Sequence, residues 1–595
     1  MKWTENLKNT YKGMGYSVSR FPITVLFLVA IAILNAFMIE SSDFDFTRLI
    51  FTFMIGGVLG VVAEMVYERF ELTEMMRYAL FGGTIGLTLL YYLLIGPQAE
   101  LNLPISIKTM VSLFALFIAF IWIPTIENVG VPFHRSFLAV FKSLFTTLLF
   151  SLVLAGGISA IFSAINLLLF QVDFTILGHL MNVIATLFAP IYFLSMIPTY
   201  GNMARADDNE SVSVKEIDQF SVPRFLEILI SYIIIPLVGV YTLILIIYVV
   251  INFTGNFWTD NLLEPLLVSY AIIVLVVLLL SYNLENRFAV GFRTIFPKVL
   301  LPIVLFQTLA SILKIGEMGI THGRYYVILF GVFAIIASVI FGFMKVKHHG
   351  YVAVALLALA TLSIIPPIDA FTVSKKNQIQ FLQEKLSENN MLENNQVIPN
   401  EDIPVEDKIA ITKAALYIQE LGYTNEVAFL PNNTDIYAEF SRLFGFNQTF
   451  EDYELDRGMT QFVNLEYSDE YTMDISRYDV YLTTFIYSGE PFENKSFEIE
   501  GETYHLKVEE SERYSTLKVV DSKDTEIIRY NLKDIYDDLF GEEAETLSVP
   551  DTLSLEEAQF ETENDQAYLK ILVISLDRNE SYNSSQLTLY LEIKE

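Results

Sequence analysis

Apolar runs long enough to cross a bilayer recur along the first 366 residues of this chain and never afterwards. In hydrocarbon no water satisfies a backbone N–H or C=O, so each run must close its hydrogen bonds internally as a helix. Measured against the ~20 residues a span needs, the runs predict eleven helices. Their limits are 21–39, 49–67, 78–96, 107–126, 144–170, 177–198, 225–251, 263–282, 296–313, 325–344 and 350–366. Residues 136–170 form one run longer than a span, so Ser136 to Lys142 reads as an interfacial lead-in. The stretch Ile364–Lys376 ends the series. Its Pro366-Pro367 lacks two backbone donors and disfavours helix at the residue before it, and Ser374 reads as the N-cap of a polar helix starting at Lys375.

Charge divides at the same place. Residues 1–370 carry 20 Lys+Arg and 22 Asp+Glu, whereas residues 371–595 carry 18 and 47. The tail is therefore strongly acidic, which excludes nucleic acid as a partner by simple repulsion. With the N-terminus in the cytoplasm, loops on the inside hold 16 basic residues against 6 outside. This positive-inside bias, with an odd number of spans, predicts an extracytoplasmic tail. The first apolar run follows Lys2, Lys8, Lys12 and Arg20 and lacks a small-x-small cleavage site, so it reads as a span and not as a cleavable leader. The chain has no cysteine, which removes disulfides, thiolate metal sites and a cysteine nucleophile.

Within the spans, Gly56-Gly57-x-x-Gly60 and Gly82-Gly83-x-x-Gly86 predict close packing of the second helix on the third. Pro190, Pro236 and Pro302 predict kinks or breaks. In the tail, residues 375–395 and 405–422 predict amphipathic helices, the second ending at Gly422, and Asn433-Thr434-Asp435 starts a third. From about residue 460 the apolar period falls to two. Strands are predicted at 479–487, 502–509 and 514–520, then a helix near 532–540 and a hairpin of 567–576 with 585–594 around Asp577–Ser581. The fold class is thus a polytopic α-helical membrane domain, residues 1–370, followed by a soluble α+β domain, residues 371–595. The latter has a helical start at 375–445 and a strand-rich part at 460–595.

Two stretches, Lys314-Ile-x-Glu317-x-Gly319-Ile320-Thr321-x-x-Arg324-Tyr325 and Asp369-x-x-x-Val373-Ser374-x-x-x-Gln378, resemble signatures of a family of bacterial multi-pass membrane proteins, domain of unknown function 4153. Where the family often has a small polar residue before the glutamine, this chain has Asn377. The resemblance implies a bacterial envelope protein of the plasma membrane. It implies no reaction, cofactor or catalytic residue.

The densest polar cluster is Lys314, Glu317, Thr321, His322 and Arg324, with Asp369 at the same expected surface. On a continuous helix Lys314, Glu317 and Thr321 would share a face. The cluster reads either as a patch for anions or headgroups, or as a structural loop with snorkelling cations. A pairing of Lys314 or Arg324 with Asp369 or Glu317 is expected. Glu64 and Glu227 are intramembrane carboxylates near the cytoplasmic end, with Arg69 and Arg224 as expected partners. Asn35, Asn166, Asn182 and Gln307 lie deeper and are expected to hydrogen-bond between helices. Glu40, Asp43 and Asp45 occupy a first outer loop about nine residues long, short for the folded loop of a lipid-linked glycosyltransferase. The acids at 207–218 and Glu451-Asp452-x-Glu454-x-Asp456 read as solvated, and the latter lacks the ordering of a calcium loop. No zinc motif, phosphate loop or nucleophile elbow is present. No cofactor or metal is implied. The function expected is a non-enzymatic envelope assembly or sensing component whose partners are membrane lipids and other envelope proteins. A small-solute or lipid transporter and a polytopic glycosyltransferase are the alternatives.

Overall fold

The computed structural model describes residues 12–41, 44–95, 102–126, 131–200, 221–252, 263–431, 433–450, 461–465, 473–487, 492, 494–510, 514–540, 551–578 and 583–594. The acids at 207–218, the run Glu451–Asp456, Asp43 and the tip of the last hairpin lie outside them. The chain divides into two compact units, Met1–Gln378 and Ile379–Glu595.

The first unit is a bundle of long helices: α1 Pro22–Glu40, α2 Thr47–Arg69, α3 Glu74–Ile95, α4 Leu103–Trp122 and α5 Phe133–Leu168 come first. Then follow α6 (Phe174–Ser195), α7 (from Arg224 to Asn252), α8 Leu263–Ser281, α9 Arg287–Leu313, α10 His322–Phe343 and α11 Tyr351–Leu362. Among the described residues, ten helices are long and apolar enough to cross a membrane. The eleventh expected span is the shorter apolar helix Val346–Leu362. The chain is a multi-pass membrane protein. Many large apolar side chains point outward from the helices, as Leu93, Leu94, Leu152 and Val153 do, which fits helices that face lipid.

Three expectations change. α5 is one 36-residue helix from Phe133, about 54 Å long at ~1.5 Å per residue. The expected lead-in, Ser136 to Lys142, is therefore the start of this same helix, and its Ser136, Leu138, Ala139 and Val140 are buried in the bundle. The glycine motifs also part company. A Cβ on Gly56 would lie 2.8 Å from both Phe27 and Thr88, and one on Gly60 2.7 Å from the Thr24 hydroxyl. Gly82, Gly83 and Gly86, by contrast, have nothing within 4 Å of such a Cβ. The first motif is packing and the second faces outward. Third, the polar helix begins earlier than Lys375, at Ala370, as described below.

The prolines act as expected in two helices. A π-helical turn, Ile184–Phe188, precedes Pro190 in α6, and another, Leu229–Ile234, precedes Pro236 in α7. Proline removes a donor and crowds the carbonyl a turn before it, and the π turn is the local adjustment. α9 carries Pro297 and Pro302 and stays helical throughout.

The second unit starts within α12 (Ala370–Glu388) and continues with the hairpin β1 (Leu392–Glu393) and β2 (Gln396–Val397), then α13 (Val405–Glu420) and α14 (Ile436–Phe444). Leu382, Leu386, Met391, Ile411, Ala415, Ile418, Phe440 and Phe444 form the core of this helical part. α13 ends in a Schellman motif: Gly422, at φ +68, donates to Gln419 O and Tyr423 to Ile418 O. Asp435 accepts from the Tyr437 amide and caps α14. The strands are β3 Gln461–Leu465, β4 Val480–Tyr487, β5 Lys495–Ile499, β6 Glu502–Glu510, β7 Ser515–Asp521 and β8 Glu526–Asn531. After helix α15 (Leu532–Phe540) come β9 Asp551–Leu553, β10 Gln559–Glu563, β11 Ala567–Arg578 and β12 Asn583–Ile593. They form a six-stranded sheet, β4-β12-β11-β3-β9 with β10 also on β11, and a four-stranded meander β5-β6-β7-β8. The β11–β12 hairpin is the centre of the larger sheet, and Ile571, Val573, Leu576, Leu587 and Leu589 supply its buried core.

Candidate functional site

Polar side chains gather at the two ends of the helical bundle. At one end, two ion pairs join the segment before α1, the last turns of α2 and the first turn of α3. Arg20 forks onto Glu68, with Nε–Oε1 2.6 Å and Nη2–Oε2 2.7 Å, and also donates to the carbonyls of Ile197 and Pro198, each at 2.8 Å. Four donors of one planar guanidinium thus find acceptors, which compensates for burying the charge. Glu64, 2% exposed, pairs with Arg77 at 2.9 Å. Arg69, its expected partner, instead donates to Ile126 O. Glu227 pairs with Arg224 at 3.0 Å and accepts from Asn286 at 3.4 Å.

At the opposite end lie the chain reversal between α9 and α10, the start of α4, and the residues after α11. α9 stops at Leu313, one short helical turn Ile315–Met318 follows, and Gly319 at φ +66 reverses the chain. Lys314, Glu317 and Thr321 therefore share no helix face. Lys314 is buried and Glu317 exposed, while Thr321 caps α10 by accepting from the Arg324 amide at 3.2 Å. The Arg324 guanidinium folds back over the reversal and donates to Lys314 O at 3.2 Å and Gly319 O at 3.1 Å. It braces backbone carbonyls, and neither it nor Lys314 is the cation on Asp369.

That cation is Lys108 of α4. Its Nζ lies 2.8 Å from Asp369 Oδ1, and the Asp369 side chain is 0% exposed against 30% for Lys108. The same carboxylate oxygen accepts from the amides of Phe371 and Thr372, each at 3.3 Å, so Asp369 is the N-cap of α12. Ser374, the expected cap, lies inside the helix and donates to Phe371 O. Oδ2 of Asp369 is buried with no hydrogen-bond partner among the described residues. Burial pushes the Asp369 carboxyl up, but the Lys108 and Thr372 bonds outweigh it and hold it below the usual carboxylate range.

Two turns along α12, Asn377 Oδ1 accepts from the Ile320 amide and Gln378 Nε2 donates to Met318 O at 3.0 Å. The Tyr325 hydroxyl donates to Ile368 O at 2.7 Å, and His322 stacks on Phe371 with ring centres 5.1 Å apart. The reversal and the root of α12 are one hydrogen-bonded node. Among the expected cluster, Thr321, Arg324 and Asp369 belong to it through backbone and capping bonds. Lys108, Asn377 and Gln378 complete it. The signal for Lys108 was its isolation, since it is the lone charge between Leu103 and Trp122.

The deeper polar residues divide. Asn35 donates to Asn182, and Asn182 to Ala32 O, at 2.9 and 2.8 Å, linking α1 with α6. Asn166 instead accepts locally from the Val172 amide. Both amide atoms of Gln307 are buried with no partner among the described residues. Between α1 and α2, Glu40 pairs with His179 at 2.7 Å and Asp45 accepts from the Thr47 amide. A groove of about 450 Å³ between α2 and α3, floored by Ala63, Leu80 and Thr84, carries no charged lining group. Among the described residues no three His, Cys, Asp or Glu side chains come together as a metal site would require.

A family model described as a domain of unknown function, DUF4153, matches residues 23–396. The match covers the bundle, the node and the first helix and hairpin of the tail. Neither curated proteins nor solved structures yield a match.

Proposed function

Because the chain belongs to the DUF4153 family of domains of unknown function, we propose its role from geometry and charge. It is a bacterial plasma-membrane protein that displays an acidic extracytoplasmic domain for envelope assembly or sensing, and it is not an enzyme. The observation that carries the reading is the Lys108–Asp369 node. A buried, capped carboxylate and two amide side chains fix the root of α12, the helix from which the tail follows. A fixed root suits a displayed domain, whereas a transport cycle or a catalytic centre needs polar groups facing a cavity. The α2–α3 groove is apolar, and Glu40 of the glycosyltransferase alternative is engaged by His179. The partners are membrane lipids and other envelope proteins.

An impermeant amine crosslinker applied to intact cells should link tail lysines such as Lys507 and Lys533 to other envelope proteins. No crosslinks from the tail, together with flux of a solute in proteoliposomes, would replace this reading by transport. One observation favours that second reading: α6 and α7 are both interrupted by π turns ahead of a proline, and π turns are frequent at functional sites while interrupted helices line transporter binding sites.

A further inference from the structure

β4 (Val480–Tyr487) is the outermost strand of the six-stranded sheet, and among the described residues it pairs with β12 alone. An outermost strand carries a row of unpaired N–H and C=O groups, which another chain can use as a template. Proteins blunt such edges by shortness, charge or proline. The other edges of the six- and four-stranded sheets are blunted in this way. β9 is three residues long, β10 carries Glu561 and Glu563, β5 carries Lys495 and Glu498, and β8 carries Glu526 and Arg529. β4 runs Val-Tyr-Leu-Thr-Thr-Phe-Ile-Tyr, eight residues with no charge, proline or glycine.

The ladder decides which backbone groups of β4 face outward. Alternate residues of an antiparallel strand bond to the neighbour, and those between turn their N–H and C=O to the other side. Lys495 Nζ donates to Thr483 O at 2.5 Å, so this carbonyl faces the open side. The Thr483 and Thr588 hydroxyls lie 3.5 Å apart, the close approach of a facing pair that exchanges no ladder bonds. By the same alternation the backbone groups of Tyr481, Phe485 and Tyr487 face outward. Their side chains are exposed as well, Tyr481 by 63%, while Thr484 and Ile486 are buried. Open backbone and an aromatic row thus belong to the same residues. Strand addition uses both, the main chain for affinity and the side chains for selectivity.

Charge selects the occupant. Residues 371–595 carry 18 Lys+Arg against 47 Asp+Glu. A second copy of the tail carries the same excess and is repelled, whereas a cationic segment is drawn in. We propose that β4 is the docking edge for an extended, Lys- or Arg-rich segment of another protein, which joins the sheet as a further strand, a proposal that rests on the tail being displayed for partners and gives the chemistry of one.

Full-length protein in detergent is mixed with synthetic peptides of about ten residues, the length of a strand. One alternates lysine and valine, a second is the same peptide with its amides N-methylated, and a third alternates glutamate and valine. Fluorescence anisotropy reads binding, and hydrogen exchange locates it. The lysine peptide binds and slows exchange of the Tyr481, Thr483, Phe485 and Tyr487 amides, and the other two peptides bind far more weakly. Thr483→Pro removes one outward N–H where an edge strand tolerates proline. Phe485→Lys places on β4 the kind of charge that blunts the other edges. Each weakens the lysine peptide about tenfold, the worth of one hydrogen bond or one like-charge contact. Phe485→Lys changes an exposed side chain, so it decides the matter even where Thr483→Pro melts early. Equal binding of the N-methylated peptide would reduce the attraction to charge alone, and equal binding of the glutamate peptide would remove the cationic partner. Either overturns the proposal, as would β4 amides already protected in a dimer of the native protein, which would give the edge to a second copy. Failure of the lysine peptide while tail lysines still crosslink to envelope proteins in cells would overturn the edge and leave the displayed domain standing.

Discussion

Lys108 and Asp369, more than 250 residues apart in the chain, meet at 2.8 Å with the carboxylate wholly buried. Deleting one partner of such a pair leaves a charge without compensation, at a cost of about 3 kcal/mol for a pair open to solvent on one side. Lys108→Ala and Asp369→Ala should each speed tryptic cleavage after Lys375–Lys376, by up to about a hundredfold where opening is in rapid equilibrium. The double variant should be little worse than either single. Arg324→Ala with Asp369→Ala should instead be additive to within ~0.5 kcal/mol, because Arg324 braces carbonyls and does not touch the carboxylate. Coupling of Asp369 to Arg324 and not to Lys108 would refute the node as drawn.

Gly319 is the hinge of the same node. Its φ of +66 lies where L side chains are strained, and a Cβ there would sit 2.7 Å from Gln378 Nε2 and 3.0 Å from Asn377 Oδ1. Gly319→Ala should destabilise by about 2 kcal/mol from backbone strain alone, and should loosen α12 at the same tryptic site. Gly323 is the control. Its added Cβ meets only the Thr321 hydroxyl, at 3.9 Å, so Gly323→Ala should melt with the native protein. Equal effects of the two variants would mean that the close approach is not needed.

How far these features were legible follows from what each depends on. The π turns lie next to Pro190 and Pro236 because the cause is local, and the Schellman end of α13 is written in Gly422. Alternation of apolar residues placed β4, β6, β7 and the β11–β12 hairpin. The partner of Asp369 depends on which helices are neighbours, and no spacing in the sequence encodes that α4 stands beside the end of α11. The same holds for the glycine motifs. Gly56 and Gly82 sit in equivalent patterns, and only the placement of Phe27 and Thr88 decides that the first packs and the second faces outward. The N-cap failed for another reason. Both Asp369 and Ser374 are good caps by type, and the buried Lys108 pair selects the aspartate.

The tail offers a pH test free of the membrane. Lys385 Nζ lies 2.9 Å from Asp407 Oδ1, and Asn389 donates to Oδ2 at 3.1 Å. Burial raises the Asp407 carboxyl, but the Lys385 and Asn389 bonds prevail and hold it below its ordinary 3.8. A carboxylate depressed by folding contributes stability that is present above the unfolded value and is lost as pH falls through the folded one. Residues 371–595, purified as a fragment, should unfold cooperatively, since two apolar cores lie within them. The stability gap between that fragment and its Asp407→Asn variant should stay constant above about pH 5 and close as pH drops below 3.8. A gap that persists at pH 2 would show that the aspartate acts by shape and not by charge. Non-cooperative melting of the native fragment would show dependence on the helical unit.

The proposed orientation rests on sixteen basic residues against six, and the geometry of the ends makes it testable at chosen points. Thr73 lies in the turn between α2 and α3, between Glu68 and Arg77, and thus at the end that carries the Arg20–Glu68 and Arg77–Glu64 pairs. Gly316 lies in the short turn after α9, at the Lys108–Asp369 end, and is exposed. Ser476 is exposed in the tail. Since the native chain has no cysteine, a single cysteine at each point reports without background. In intact cells an impermeant maleimide should modify Gly316→Cys and Ser476→Cys but leave Thr73→Cys unmodified until the membrane is permeabilised. Labelling of Thr73→Cys alone would invert the protein and place the acidic tail in the cytoplasm. Labelling of Gly316→Cys without Ser476→Cys would keep the bundle as oriented and return the tail to the inside, which would mean that the short helix Val346–Leu362 does not cross the bilayer. An apolar helix of that length, which begins at the turn holding Lys345 and Lys347 and ends shortly before Asp369, the cap of α12, joins two charged ends and is therefore expected to cross once.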